Sequence, residues 1–295
     1  MQANPLAQMV SKENRMNIKI TSDSTCDLSA DLLAKYNISL VPLIVMKGDQ
    51  EFEDGITITP ADIFAHVAAG GSLCTTAARS VGYYQETFAR YASEYDGIVH
   101  INISSDFSSS YQNACLAAEE FENVRVVDSR NLSTGQGLVV LKAWELAQNA
   151  ASLDELKQEL DAFTVKVEAS FVVDKLDYLV KGGRCSTAAA LGANLLNLKP
   201  CIEVRDGKMI VGKKYRGNFT KCLLNYIHDR LSGREDLDGG TVFVTHTTIS
   251  GECHDAVMGA VHASGAFTTV YETIAGCTIS CHCGPGTLGI LFVRK

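Results

Sequence analysis

The sequence has no apolar run long enough to cross a bilayer, and residues 1–15 lack the apolar core of a signal peptide. It also has no excess of positive charge, because 26 Lys and Arg are outnumbered by 34 Asp and Glu, for a net charge of -8. An acidic surface argues against a general nucleic-acid binder or a binder of anionic membranes. We therefore expect a cytoplasmic protein that neither inserts into a membrane nor binds nucleic acid.

Several catalytic and metal-binding signatures are missing. There is no Walker sequence for a nucleotide phosphate, and no G-x-S-x-G elbow, since the residues around Ser108 include no glycine. Cys281, His282 and Cys283 suggest zinc, but neighbouring residues in an extended segment point to opposite faces, and no second Cys pair supports such a site. We therefore predict neither a metal nor a cofactor.

The ten cysteines do not predict a disulfide framework. Cys115, Cys201 and Cys222 lie among apolar residues, as is typical of small buried side chains in a cytoplasmic protein. A metal or redox protein built on the cysteines remains an alternative, which metal analysis of the purified chain would decide.

The first half alternates strand and helix patterns with short connections. Strands are predicted at 18–21, 40–46, 98–103 and 124–127, and helices at 27–36, 59–69, from Ser80, up to Glu120, at 135–149 and from Ser152. This alternation predicts an α/β fold with a mostly parallel sheet that helices cover on both faces.

The second half is less regular. We predict strands at 169–173, 241–245, 267–274 and 288–293, a hairpin at 202–210 that turns at Asp206-Gly207, and helices at 186–196, 217–231 and 252–263. The expected organisation is an extension at 1–16, an N-terminal α/β domain at 17–170 and a C-terminal α/β domain at 171–295.

Three hydroxyl-rich segments, at 22–25, 75–80 and 104–110, follow predicted strands. Ligand sites in parallel sheets gather beyond the carboxyl ends of the strands, and hydroxyls with helix N-terminal amides bind anions. Each of these side chains taken alone is more often a helix cap. Near the C-terminus, His282 precedes the turn Gly284-Pro285-Gly286, which either holds the imidazole in a cleft or leaves it as a structural histidine.

From residue 17 to the end, the sequence resembles the DegV family of bacterial fatty-acid-binding proteins. The resemblance rests on short segments whose order and spacing are specific: Asp23-Ser24-Thr25-x-Asp27-Leu28, Val41-Pro42-Leu43, Thr76 to Ser80, Ser104-Ser105-x-Phe107-Ser108-x-x-Tyr111-Gln112, Val127-Asp128-Ser129, Leu176-x-Tyr178-Leu179-x-Lys181-Gly182-Gly183-Arg184, Lys199-Pro200 and His282-x-Gly284-Pro285-Gly286.

The resemblance implies two α/β domains with one fatty acid buried at their junction. It implies that the hydroxyls of Thr76 and Ser108, the backbone N–H of Ser109 and the imidazole of His282 bind the carboxylate. It further implies that Arg184 lies near the acid head, where it meets a partner or a phosphate.

Two segments depart from the family pattern. The family motif T-S-x-P-S is here Thr76-Ala77-Ala78-Arg79-Ser80, and the Gly-Thr of the motif S-S-x-L-S-G-T is replaced by Ser109 and Ser110. Arg79 either contacts the head group or faces solvent, and we expect solvent, since most arginines near helix caps are exposed.

By this resemblance, the chain is a lipid-binding carrier and not an enzyme. It presents the carboxylate of a long-chain fatty acid to a fatty acid kinase that forms acyl-phosphate for phospholipid synthesis. Burial of each methylene contributes about 0.8 kcal/mol to binding of the acyl chain. Tunnel-lining candidates are Ile44, Phe64, Leu195 and Leu196, although ordinary core is their commoner role. A hydrolase or acyl-transferase that uses Ser108 and His282 is the alternative function.

Overall fold

The computed structural model describes residues 16–189 and 198–295. The strands of this part are β1 (Ile18–Asp23), β2 (Ser39–Val41), β3 (Ile44–Lys47), β4 (Gln50–Glu53), β5 (Thr75–Ala77), β6 (Gly97–Asn102), β7 (Val124–Asp128), β8 (Val167–Val173), β9 (Leu198–Arg205), β10 (Lys208–Arg216), β11 (Leu237–His246), β12 (Thr269–Ile274) and β13 (Thr287–Arg294). Its α-helices are α1 (Ala30–Lys35), α2 (Pro60–Ala68), α3 (Val81–Ala92), α4 (Ser110–Ala118), α5 (Ser133–Ala147), α6 (Leu153–Thr164), α7 (Asp177–Gly182), α8 (Ser186–Ala189), α9 (Phe219–Leu231), α10 (Gly251–Ala263) and α11 (Cys277–Cys283). The predicted helix 186–196 extends outside the described residues.

The predicted parallel sheet is present in the N-terminal half. Its order is β2-β1-β6-β7, and every neighbouring pair is parallel. All six residues of β6 are buried, as a central strand between two layers of helices requires. The carboxyl ends of β1, β6 and β7 therefore meet at one edge of the sheet.

A small antiparallel sheet of order β4-β3-β5 lies beside the parallel one and corrects two expectations. The single strand predicted at 40–46 is two strands, because Pro42 has no N–H with which to continue the ladder. Thr75 to Ala77, expected in a loop, forms strand β5 against β3.

The C-terminal half is built on a six-stranded mixed sheet of order β10-β9-β8-β13-β11-β12. Only β11 and β12 pair in parallel; the other neighbours are antiparallel. The predicted hairpin is confirmed, with both turn residues Asp206 and Gly207 at positive φ, as a two-residue hairpin of type I′ requires. The hydroxyl of Ser104 donates to the carbonyl of Gly207 at 2.8 Å, so this turn touches the N-terminal half.

Helix α5 packs between the parallel sheet and the mixed sheet. Ten of its 15 residues are buried, and Val139 and Val140 share one core with Ile101 of β6 and Leu291 of β13. A Cβ at Gly137 would lie 2.8 Å from the carbonyl oxygen of Cys26, so the helix approaches the backbone after β1 closely. Helix α5 therefore joins the parallel sheet and the mixed sheet through one shared core.

Helix α11 corrects the expectation of an extended segment at Cys281 to Cys283. Its first amides donate to two buried carboxylates: Gly276 N–H to Asp27 at 2.9 Å, and Cys277 N–H to Asp54 at 2.9 Å. Amides at a helix N-terminus lack partners within the helix, and the oxygens of these two carboxyl groups supply them. The sequence suggests a helix from residue 27, but α1 begins later, because Ser29 and not Asp27 caps it.

Among residues 16–189 and 198–295, every helix is too short or too polar to span a bilayer.

Candidate functional site

A cavity of about 260 Å³ lies where the parallel sheet, the small sheet and α11 meet, and we refer to it as the central cavity. Both halves of the chain contribute to its wall. The lining residues are Leu43, Thr76, Ala77, Ala78, Ile103, Phe107, Ser108, Ser109, Leu132, Arg184, Met209, Thr278, Ile279, His282 and Cys283. The structure thus brings Thr76, Ser108, Ser109, His282 and Arg184 together around one cavity, as the family resemblance implies. Arg79 is not part of the cavity wall.

Thr76 and His282 form one polar corner of the central cavity. The hydroxyl of Thr76, on β5, lies 2.8 Å from Nε2 of His282, on α11. Desolvation, together with the smaller effect of the nearby Arg184 guanidinium, lowers the pKa of His282 to about 4. The imidazole is therefore neutral at physiological pH.

The neutral imidazole can turn Thr76 into a donor toward the cavity. Nδ1 of His282 is buried and has no hydrogen-bond partner among the described residues. If Nε2 carries the hydrogen, it donates to the Thr76 oxygen, and the Thr76 hydroxyl hydrogen is left to donate to an anion. The pair then presents hydrogen-bond donation without a positive charge.

The serines at 108–110 form a second polar wall at the start of α4. The hydroxyls of Ser108 and Ser110 lie 2.8 Å apart, and the Ser110 N–H donates to Ser108 Oγ at 3.2 Å. Ser109 is the N-cap residue of α4, yet its side chain makes no cap hydrogen bond. The amide end of a nine-residue helix therefore lies at the cavity, where the helix dipole favours an anion.

Arg184 lies exposed at the rim of the central cavity. Its guanidinium donates to the carbonyl of Gly182 at 2.8 Å and to that of Phe107 at 3.4 Å. No carboxylate among the described residues forms an ion pair with it. From this position the Arg184 guanidinium can attract an anion to the cavity while the guanidinium itself stays at the rim.

Arg79 does not face solvent, and the expectation from sequence is wrong here. Its residue surface is 7% exposed, and its guanidinium pairs with Glu53. It also donates from Nε to the carbonyl of Pro42 and stacks over the ring of Tyr83 at 4.2 Å. Burial of an arginine requires such partners. These contacts hold the side chain outside the lining of the central cavity.

The rest of the central cavity is apolar. Ile103, Phe107, Leu132, Met209 and Ile279 belong to one core cluster that both halves share. A separate, smaller cavity of about 20 Å³ lies between the shared wall residues Leu132 and Ile279 and the mixed sheet. An apolar interior below a polar corner fits a molecule with a charged head and a hydrocarbon tail.

Of the suggested tunnel residues, Ile44 and Phe64 are absent from the cavity wall, and Phe64 packs instead against the cluster around Cys277. Leu195 and Leu196 lie outside the described residues. Phe107 and Met209 line the cavity but could not be predicted to do so, because no local sequence pattern separates a cavity wall from ordinary core.

All ten cysteines are unpaired thiols, and nine of them are buried. Cys281 and Cys283 belong to different core clusters, so they do not converge on one point. Burial raises the pKa of the Cys283 thiol to about 12, which keeps it protonated. Thiolate, and not thiol, is the metal ligand, so these side chains fit the expected role of small buried groups.

Together, the fold and the cavity define an α/β protein that encloses an apolar cavity with hydroxyls and a neutral histidine at one end. A model of the DegV family matches residues 17–295. The chain belongs to the DegV family, and the resemblance and the fold class inferred from sequence are both confirmed.

The comparisons with individual proteins agree with this family. The chain is 30% identical to the fatty acid-binding protein of Thermotoga maritima over 286 residues, which cover 93% of this chain and 96% of that protein. The structure of a DegV family protein from Thermus thermophilus, described by its fatty acid binding, is similar with a TM-score of 0.85 and 30% identity, over 95% of this chain and 100% of that one. The structure of DegV from Bacillus subtilis, described as a fatty acid binding protein, is similar with a TM-score of 0.81 and 25% identity, over 95% of this chain and 100% of that one.

Gly182 is the residue that makes room for His282, and Gly182→Ala tests the position of the imidazole. A Cβ at this residue would lie 2.5 Å from His282 Nδ1, so the ring must shift or turn, which disturbs its hydrogen bond with Thr76. Loss of a hydrogen bond of about 1 to 1.5 kcal/mol predicts roughly tenfold weaker binding of a carboxylate ligand in a titration. Gly259→Ala is the control, because a Cβ there meets open space. Equal affinity in both variants would contradict the role of the imidazole.

Proposed function

We propose that this chain binds one long-chain fatty acid, with the carboxylate at Thr76, Ser108, Ser109 and His282 and the acyl chain in the apolar part of the central cavity. The observation that carries the proposal is the pairing of a hydroxyl-rich corner with an apolar interior in one enclosed space. Hydrogen bonds to an ionised acceptor are stronger than neutral ones, so hydroxyls and amides can hold a carboxylate without a cation below it.

The relatives support this ligand. A fatty acid-binding protein and structures described by fatty acid binding match nearly the whole chain at 25% to 30% identity. Each methylene that leaves water for the apolar interior contributes about 0.8 kcal/mol, so a long chain supplies most of the affinity.

We further propose that the chain is a cytoplasmic carrier for a fatty acid kinase that forms acyl-phosphate. Arg184 supports this role, because its guanidinium is exposed at the rim of the cavity, next to the carboxylate corner. Arginine binds phosphate oxygens well through its fork of donors. An activated acyl group formed there would lie within reach of a partner without leaving the cavity.

A hydrolase or acyl-transferase is the second candidate, and the geometry favours it less. In the described part of the chain, the hydroxyl of Ser108 bonds to Ser110, whereas the imidazole of His282 bonds to Thr76. A serine nucleophile needs a base within hydrogen-bond reach. Release of product from acyl esters that stops in Ser108→Ala would favour the enzyme over the carrier.

The direct test is to identify what the purified chain carries. Tag-free protein is extracted with organic solvent and the extract is analysed by mass spectrometry; we expect close to one fatty acid per chain. A protein that contains none, and that binds none after removal of lipid and addition of palmitate, would overturn the proposal.

A further inference from the structure

His246, His254 and Glu272 form a second cluster of functional side chains, outside the lining of the central cavity. Their potential ligand atoms all lie within 4.8 Å of one another. His246 ends β11, Glu272 lies on the neighbouring parallel strand β12, and His254 is in the first turns of α10. The cluster thus lies at the carboxyl end of a parallel strand pair, where α/β proteins commonly bind ligands.

Both imidazoles use Nδ1 for a contact outside the cluster. Nδ1 of His246 lies 2.7 Å from the carbonyl oxygen of Thr247, which can only accept a hydrogen. Nδ1 of His254 lies 2.9 Å from a carboxylate oxygen of Asp255. Each Nε2 also faces an acceptor, so a fully protonated ring donates on both sides, whereas a neutral ring that keeps its hydrogen on Nδ1 leaves a lone pair on Nε2.

The two Nε2 atoms face one oxygen of Glu272. The distances to Oε1 are 3.1 Å from His246 and 3.0 Å from His254. If both Nε2 atoms are unprotonated, three acceptors converge at this spacing and repel one another unless a cation lies among them; if an Nε2 carries a hydrogen, it donates to Glu272. Donation of Nδ1–H to a carbonyl or carboxylate, with Nε2 left as the ligand, is the usual outer arrangement of metal-binding histidines.

The spacing suits a small metal ion. Zinc bonds of about 2.0 to 2.1 Å in a tetrahedral site separate neighbouring ligand atoms by roughly 3.3 Å, so only small movements are needed here. The rings of His246 and His254 are 5.9 Å apart and inclined at 68°, so they do not stack and both can point at one centre. Two histidines and one glutamate form a known zinc ligand set that leaves a fourth position for water.

We propose that His246, His254 and Glu272 bind one divalent transition-metal ion, Zn²⁺ in the first instance, with the fourth position open to solvent. Glu272 is 40% exposed and His254 is 31% exposed at the side chain, so an ion can reach the cluster, while His246 anchors it from below at 8%. The ion would join the first turn of α10 to the ends of β11 and β12.

Thr247 connects this cluster to the turn that follows α11. Its hydroxyl donates to the carbonyl of Gly284 at 2.9 Å and accepts from the N–H of Thr287 at 3.0 Å. The residue that orients His246 is thus hydrogen-bonded to the segment directly after His282. The metal site and the central cavity share one framework, although the metal proposal requires nothing of the lipid.

The test is a titration of tag-free protein, stripped with a chelator, with ZnCl₂ in a calorimeter, followed by a thermal melt. We expect one Zn²⁺ per chain and a higher melting temperature with the metal, because a ligand that binds only the folded state stabilises it. Co²⁺ in place of Zn²⁺ should give the visible absorption of a tetrahedral site.

Variants separate this cluster from adventitious surface histidines. His254→Ala and Glu272→Gln are partly or largely exposed changes that should leave the fold intact and weaken Zn²⁺ binding by about 100-fold or more, since loss of even an outer partner costs 10- to 100-fold. Asp255→Asn should weaken binding roughly tenfold for that same reason. His262→Ala, exposed on the same helix, is the control and should bind as the wild type does.

Two results would overturn the proposal. One is the absence of a stoichiometric site in the calorimeter, which would mean that protons alone hold Glu272 between the histidines. The other is equal Zn²⁺ affinity in His254→Ala, Glu272→Gln and His262→Ala.

Discussion

Combining Thr76→Val with Ser108→Ala is expected to weaken fatty acid binding by at least about 100-fold, because each hydroxyl bonded to a charged group contributes roughly 1.5 to 3 kcal/mol. Both side chains line the central cavity, and neither is fully buried, so the fold should be retained. Titration of delipidated protein with palmitate, alongside circular dichroism, measures the affinity and the fold in the same samples.

The matched control is the pair Thr75→Val and Ser105→Ala. Thr75 lies directly before Thr76, and Ser105 lies three residues before Ser108. Both control residues are exposed and absent from the cavity wall, and the hydroxyl of Ser105 donates to Asp128. An equal loss in the two double variants would show that the effect is general, and an unchanged affinity in the first would remove both hydroxyls from the site.

The parallel sheet could be predicted because its information is local. Strand β6 is buried along its whole length, and β1, β6 and β7 are each followed within eight residues by a helix. Such segments show as apolar runs of strand length with a Ser or Thr before the next helix. Ser80, for example, accepts from the N–H of Tyr83 as the cap of α3.

Arg79 and α11 could not be predicted, because their structures depend on partners distant in sequence. The burial of Arg79 requires Glu53, and the start of α11 requires Asp27 and Asp54, more than two hundred residues away. No window of the sequence contains both members of these pairs. Local patterns therefore suggested an exposed arginine and an extended segment.

The carboxylate corner and the proposed metal site differ in how much of each could be predicted from local sequence patterns. Thr76 and Ser108 were found as hydroxyls in a family motif, but their proximity to His282 follows from the packing of α11 against the N-terminal half. His246, His254 and Glu272 have no motif spacing at all, since they come from two strands and a helix. The pairing of β11 with β12 places His246 near Glu272, and helix α10 brings His254 to them.

Asp27 by itself is expected to lower the stability of the chain as pH rises from about 4 to about 8. Burial raises the pKa of this carboxyl from 3.8 to about 8, and the neighbouring Asp54 and Asp23 carboxylates add to the rise, while hydrogen bonds from Ser133 and Gly276 oppose it. Between these pH values the folded chain keeps a proton that the unfolded chain has released. The free energy of unfolding therefore decreases across the window, by at most about 6 kcal/mol from this one group.

Asp27→Asn separates this contribution from those of other groups. The amide cannot ionise, yet its oxygen can still accept the Gly276 N–H, so the unfolding free energy of the variant should depend less steeply on pH. Urea unfolding at several pH values measures both slopes, and Asp31→Asn, an exposed change on α1, should reproduce the wild-type slope. Parallel curves for wild type and Asp27→Asn would contradict the shift.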